Sequence, residues 1–106
     1  MASPRLGTEL TVEDGRKAAA IACLNGLSAV RHHPGSLDRV SRVVRLGMSI
    51  ATEGDFREHP SVADAASELL VRVFGEEQLS TRIVLGVASL PLGMPIELEV
   101  IFEVTP

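Results

Sequence analysis

The chain contains no tryptophan, no tyrosine and only three phenylalanines in 106 residues. Proteins that hold single-stranded nucleic acid do so by stacking bases on aromatic side chains above a basic groove. Both halves of that device are scarce here, because acidic residues outnumber basic ones 14 to 10 and the formal net charge is -4. A nucleic-acid partner is therefore disfavoured. The single cysteine, Cys23, excludes an internal disulfide and fits a reducing compartment. No apolar run approaches the roughly 18 residues of a membrane span, and no N-terminal stretch has the basic start and apolar run of a signal peptide. These absences predict a soluble, cytoplasmic protein with no membrane partner. A chain of this length is read as one domain, 1–106, holding one site at most unless subunits combine.

What the sequence does contain is concentrated in its last 24 residues, Thr81 to Val104. Thr81 to Ala88 and Ile96 to Val104 both alternate with period two, and Leu90-Pro91-Leu92-Gly93-Met94-Pro95 between them has turn chemistry. The pattern predicts a β-hairpin. Ile83, Leu85 and Val87 would share an apolar face with Ile96, Leu98, Val100, Phe102 and Val104, leaving Arg82, Gly86, Glu97, Glu99 and Glu103 on the other.

Upstream, residues 1–10 lack periodicity, include Ser3-Pro4 and Gly7, and read as a loose lead-in that adds little to any core. Thr11 with Asp14 three residues later is a helix start, and the helix runs through Arg31 on a narrow stripe of Val12, Ala19, Ala22, Gly26, Leu27 and Val30. Arg31, His32 and His33 favour its negative end, and Pro34-Gly35 stop it. Val40 to Ile50 reads as a strand with Val44, Leu46, Met48 and Ile50 facing the core. A second helix is expected from about Val62 to Phe74, ended by Gly75, with Val62, Ala65, Ala66, Leu69, Leu70, Val73 and Phe74 on its apolar side. The order helix, strand, helix, strand, strand gives an α+β layer with both helices on one face of the sheet. If the Val40 strand and the Thr81 strand are parallel neighbours, their connection is a right-handed crossover. Three strands leave an open edge, which invites another chain.

The run from Ser80 to Val100 resembles the C-terminal signature of the Rid family, the reactive-intermediate deaminases also called YjgF or L-PSP. An Arg opens a strand, Val-Ala-x-Leu-Pro precedes the turn and Glu-x-Glu follows it. Asn25, the run Gly35 to Val40 and Asp55-Phe56 are similar to that family too, and the spacing from Pro60 to Leu70 is nearest a less-studied subgroup. The resemblance implies a chorismate-mutase-like (YjgF-like) α+β protomer, a homotrimer with ligand clefts between subunits, and hydrolysis of enamines or imines to 2-oxo acids and ammonia without metal or organic cofactor. Members carry further strands before the first helix, which bring an aromatic residue and a Ser-Gly segment to the pocket, so the chain reads as N-terminally truncated relative to them.

Carried over residue by residue, the resemblance puts Arg82 and Gly35 at the substrate and Glu97 at the catalytic water. A guanidinium suits a substrate carboxylate because its planar fork meets both oxygens. Taken alone, an Arg at a strand end is a solvated or salt-bridged surface residue. Glu97 fits general acid-base work, and its plain alternative is a surface strand carboxylate, which is how Glu99 and Glu103 are read. If the two strands form a hairpin, Arg82 lies opposite roughly Glu103, about 20 Å along the ladder from Glu97. The two would then meet on one ligand only across a subunit boundary. His32-His33 and His59 lack metal-ligand spacing and read as surface residues, and Cys23 reads as a small core residue. Where many members hold a pocket Asn on the second helix, this chain offers Ala63 or Asp64. Two other functions stay open: a non-catalytic binder of 2-oxo acids with the same fold, and the endoribonuclease or translation-inhibitor activity attached to the family name.

Overall fold

The computed structural model describes residues 5–7, 10–32, 37–76 and 81–105. Its elements are helix α1 (Val12–His32), a 3-10 turn (Leu37–Arg39), strand β1 (Val40–Ala51), helix α2 (His59–Phe74), strand β2 (Thr81–Val87), a second 3-10 turn (Pro91–Gly93) and strand β3 (Ile96–Val104). The start of α1 is a reciprocal cap. The Thr11 amide donates to Asp14 Oδ2 at 3.0 Å, and the Asp14 amide donates to Thr11 Oγ1 at 3.1 Å. Two of the helix's orphan donors are satisfied that way. The expected stop at Pro34-Gly35 lies outside the described residues.

The sheet corrects the hairpin expectation. Strand order is β2-β1-β3, so β2 and β3 flank β1 and do not pair with each other. β1 runs parallel to β2, as a strand-helix-strand crossover requires, and antiparallel to β3. The segment between β2 and β3 spans the end of β1: the Ala51 amide donates to the Pro95 carbonyl and the Thr52 amide to the Val87 carbonyl, both at 2.9 Å. Within that segment Leu92 adopts φ 60, a left-handed conformation rare outside glycine, and Gly93 follows with φ 67.

Both helices cover one face of this mixed three-stranded sheet, α2 over β1 and β2, α1 against α2 and β3. The core between them contains Leu46, Met48 and Ile50 of β1, Val62, Ala63, Ala66 and Leu70 of α2, Ala19, Cys23 and Leu27 of α1, and Ile96 of β3. Each large side chain buried there is worth about 1.5–3 kcal/mol of transfer free energy. The α1 stripe is small where it must be: a Cβ on Gly15 would stand 3.1 Å from Val62 Cγ2 and closer still to Leu6, so the two helices and the N-terminal segment meet without room for a side chain.

Three further expectations are corrected. Val43, 4% exposed, takes the inward place expected of Val44. The pairing with β3 slips by one residue between Val43 and Arg45, and the extra residue at this bulge turns Val44 off the alternation. Leu6 is wholly buried, receives a bridge from Thr52 and exchanges backbone hydrogen bonds with Ala51 and Glu53, so this part of the lead-in belongs to the core. Finally, the apolar alternation of β2 points away from the helices. Arg82, Val84 and Gly86 register with the inward Leu46, Met48 and Ile50, whereas Ile83 and Leu85 register with Gly47 and Ser49 on the open face. Among the described residues, no helix is long and apolar enough to cross a membrane.

Candidate functional site

The reversal of β2 decides where the candidate chemistry lies. Arg82 reaches from the edge strand to α2, where its Nη1 donates to Asp64 Oδ1 at 2.8 Å and to Ser67 Oγ at 3.0 Å. Nε and Nη2 meet no partner among the described residues, and the Arg82 and Asp64 side chains are 30% and 49% exposed. A partly exposed guanidinium whose Nη1 is committed and whose Nε and Nη2 have no partner among the described residues can take a carboxylate in a bidentate grip. Asp64 is the residue that the sequence left as an alternative to Ala63; Ala63 is buried in the core and Asp64 faces the arginine.

Glu97 lies on the opposite face. It registers with Ser49 across β1 and β3, on the side of the sheet away from α1 and α2. Gly47 contributes no side chain to this face, and the dip it leaves is a shallow depression of about 260 Å³ lined by Arg45, Ser49, Ile83, Leu85, Glu97 and Glu99. The three outward glutamates of β3 are not equivalent. Glu99 pairs with Arg45 at 3.5 Å and Glu103 with Arg42 at 3.6 Å, the latter also accepting from Ser41 Oγ at 2.9 Å. Glu97 carries no ion pair or hydrogen bond among the described residues, which sets it apart from the two structural carboxylates.

One chain does not bring Arg82 and Glu97 together. Arg82 registers with Leu46 and Glu97 with Ser49, on either side of β1. At roughly 3.3 Å per residue and 4.8 Å per strand spacing, their Cα atoms are about 14 Å apart, with the side chains on opposite faces. This replaces the 20 Å separation expected from a hairpin. The third predicted substrate residue, Gly35, lies outside the described residues.

The other sequence candidates fall out as follows. Cys23 is 1% exposed, its Sγ lies 3.9 Å from the Ala66 carbonyl, and burial pushes its thiol up to about 11, the profile of an inert core residue. His59, read as a surface residue, is partly buried at the start of α2. Its ring meets Phe56 edge-on at 5.1 Å, and its Nε2 is shielded from water without a hydrogen-bond partner among the described residues. The ring lies over Gly86, where a Cβ would collide with it. The signal for this contact was the glycine interrupting a β-branched strand.

A family model described as "YjgF/chorismate_mutase-like, putative endoribonuclease" matches residues 1–103. The chain belongs to the YjgF family. This YjgF-family chain is 40% identical over 100 residues to "Protein TCP17" of Trypanosoma cruzi, an alignment covering 93% of the chain and 62% of that relative. It thus spans under two thirds of the relative's length. Among solved structures, the protein Atu1372 of Agrobacterium tumefaciens, described as having unknown function, superposes with a TM-score of 0.93 at 29% identity, covering 99% of this chain and 68% of that one. A "putative endoribonuclease" of Shewanella oneidensis superposes with a TM-score of 0.91 at 28% identity, covering 98% and 69%. The YjgF-like α+β architecture is common to all three structures.

Proposed function

We propose that this YjgF-family protein is a cofactor-independent hydrolase of reactive enamine or imine intermediates, acting as a single domain in a homotrimer whose clefts lie between copies. Arg82 anchors the substrate carboxylate. Glu97 of a neighbouring copy takes a proton from water as the water oxygen bonds to the imine carbon and passes it to nitrogen, giving a carbinolamine. The carbinolamine hydroxyl then gives its remaining proton by way of Glu97 to nitrogen as the carbon–oxygen double bond forms and the carbon–nitrogen bond breaks. The balance is one imine and one water giving one 2-oxo acid and one ammonia.

The observation that carries this reading is the contrast between used and unused groups. Glu99, Glu103, Arg42 and Arg45 are paired with one another, while Glu97 and the Nε and Nη2 atoms of Arg82 meet no partner among the described residues. Because those two groups occupy opposite faces of one sheet, they can serve one ligand only when copies pack. The exposed Ile83 and Leu85 on the open face give such packing an apolar surface.

Arg82→Ala is expected to abolish hydrolysis of a freshly generated 2-aminoacrylate-type imine, followed by ammonia release. Unchanged turnover overturns the assignment, as does a monomeric mass by light scattering at working concentration. Background hydrolysis combined with thermal stabilisation by 2-oxo acids would convert the protein into a binder of the same ligands. RNA cleavage that survives both Arg82→Ala and repurification would give the endoribonuclease reading the place taken here, against the chain's net charge of -4.

A further inference from the structure

Asp64 gives the Arg82 site a second polarity. Asp64 and Ser67, the two residues that hold Arg82, line a groove of about 400 Å³ together with Glu68, Val71, Arg72 and Glu76. Asp64 Oδ1 accepts the guanidinium proton, while Oδ2, like Nε and Nη2 of Arg82, has no partner among the described residues. A simple carboxylate approaching Arg82 meets a positive charge already half-cancelled, and a like charge beside it. A ligand that carries a cationic nitrogen on the carbon next to its carboxylate meets neither penalty: its carboxylate takes the open guanidinium edge and its nitrogen donates to Asp64 Oδ2. The two dipoles then lie antiparallel.

We propose that Arg82 and Asp64 together form a receptor for a small zwitterion, an α-iminium or α-ammonium carboxylate, and that Asp64 selects it over the 2-oxo acid of the same carbon skeleton. This rests on Arg82 being the carboxylate anchor and names the charge form of the ligand that the anchor admits. A protonated imine satisfies both members of the pair. Its hydrolysis product keeps the carboxylate but has lost the nitrogen that Asp64 holds, so product is bound less tightly than substrate. Free α-amino acids of matching size compete with the substrate.

The test is equilibrium binding of two matched pairs, L-alanine with pyruvate and L-2-aminobutyrate with 2-oxobutyrate, to the full chain by calorimetry, with thermal melting to confirm that each variant is folded. The wild type is expected to favour the amino acid in each pair. Asp64→Asn should weaken the amino acid and tighten the 2-oxo acid, each by roughly three- to tenfold, the scale of a partly exposed charge pair. Asp64→Glu should restore the wild-type order, and Arg82→Ala should lose both ligands. If Arg82→Ala loses both while Asp64→Asn leaves their ratio unchanged, the zwitterion receptor falls and the carboxylate anchor stands. If Arg82→Ala binds both as the wild type does, or the wild type binds neither, the anchor falls and the receptor with it.

Discussion

On the helix side of the sheet, Leu46, Met48 and Ile50 of β1 are at most 2% exposed, whereas on the other side Ile83 and Leu85 of β2 and Ile101 of β3 are 42%, 50% and 45% exposed. The same three strands build both faces. The helix side is closed by the chain's own α1 and α2, and the other side presents apolar residues next to paired charges with no helix among the described residues above them. Apolar alternation in a strand therefore shows that one face is built to be covered. It does not show which molecule covers it, and β2 is the strand where the two answers differ.

The comparison is broken or kept most directly by paired truncations. Leu46→Ala removes a side chain enclosed on all sides and is expected to cost about 2–5 kcal/mol of unfolding free energy in urea titrations. Leu85→Ala, measured at a concentration where the chain is monomeric, should cost less than about 1 kcal/mol, because half of that side chain is already in water. Equal losses in the monomer would mean that the open face is closed by this chain after all. A Leu85→Ala loss that appears only as concentration rises would place another copy on it.

A mid-sized effect tests the helix side at its edge. Gly86 faces α2 by its register with Ile50, and the His59 ring fills the space a side chain there would need. Gly86→Val should destabilise by about 1–3 kcal/mol despite the higher strand propensity of valine, the usual scale of overpacking. Adding His59→Ala should return part of that loss, since the valine then enters space vacated by the ring, and a double-mutant cycle measures the return. If the two losses simply add, the ring and the glycine are not in contact.

The positions of α1, β1, α2 and β3 were legible in the sequence because each carries its period on residues whose partner lies in the same chain. Thr11 with Asp14 marked the start of α1, and Ile96 to Val104 marked β3 at both ends. The pairing of β2 was not legible. Leu90 to Pro95 has the chemistry of a turn, but turn residues do not distinguish a hairpin from a link that steps over a third strand. The length of the link did carry that information, since residues 88–95 exceed the two to five residues of ordinary hairpin loops. Arg82 was recognised by its position in a motif. Its partner Asp64 was visible only as one of two residues at a helix position, because the contact depends on β2 lying beside β1 and under α2.

The smallest expected effect lies at the N-terminus of α1, and its pH dependence separates the two halves of the cap. Hydrogen bonds from the Thr11 backbone, then from its side chain, hold the Asp14 carboxyl below its ordinary 3.8, with Lys17 adding to the shift. A carboxylate with a lowered native-state value stabilises the fold above its unfolded-state value and loses that contribution as pH falls through the native one. The difference in urea midpoint between wild type and Asp14→Asn should therefore be constant from about pH 6 to pH 5 and shrink as pH drops below about 4. Thr11→Ala removes the hydroxyl that accepts from the Asp14 amide and should cost about 1 kcal/mol. Because the residue 11 amide still donates to Asp14, most of the acid-side loss should persist in Thr11→Ala and be absent from Asp14→Asn. If Thr11→Ala abolishes it as completely as Asp14→Asn does, the hydroxyl and not the amide sets the acidity of Asp14.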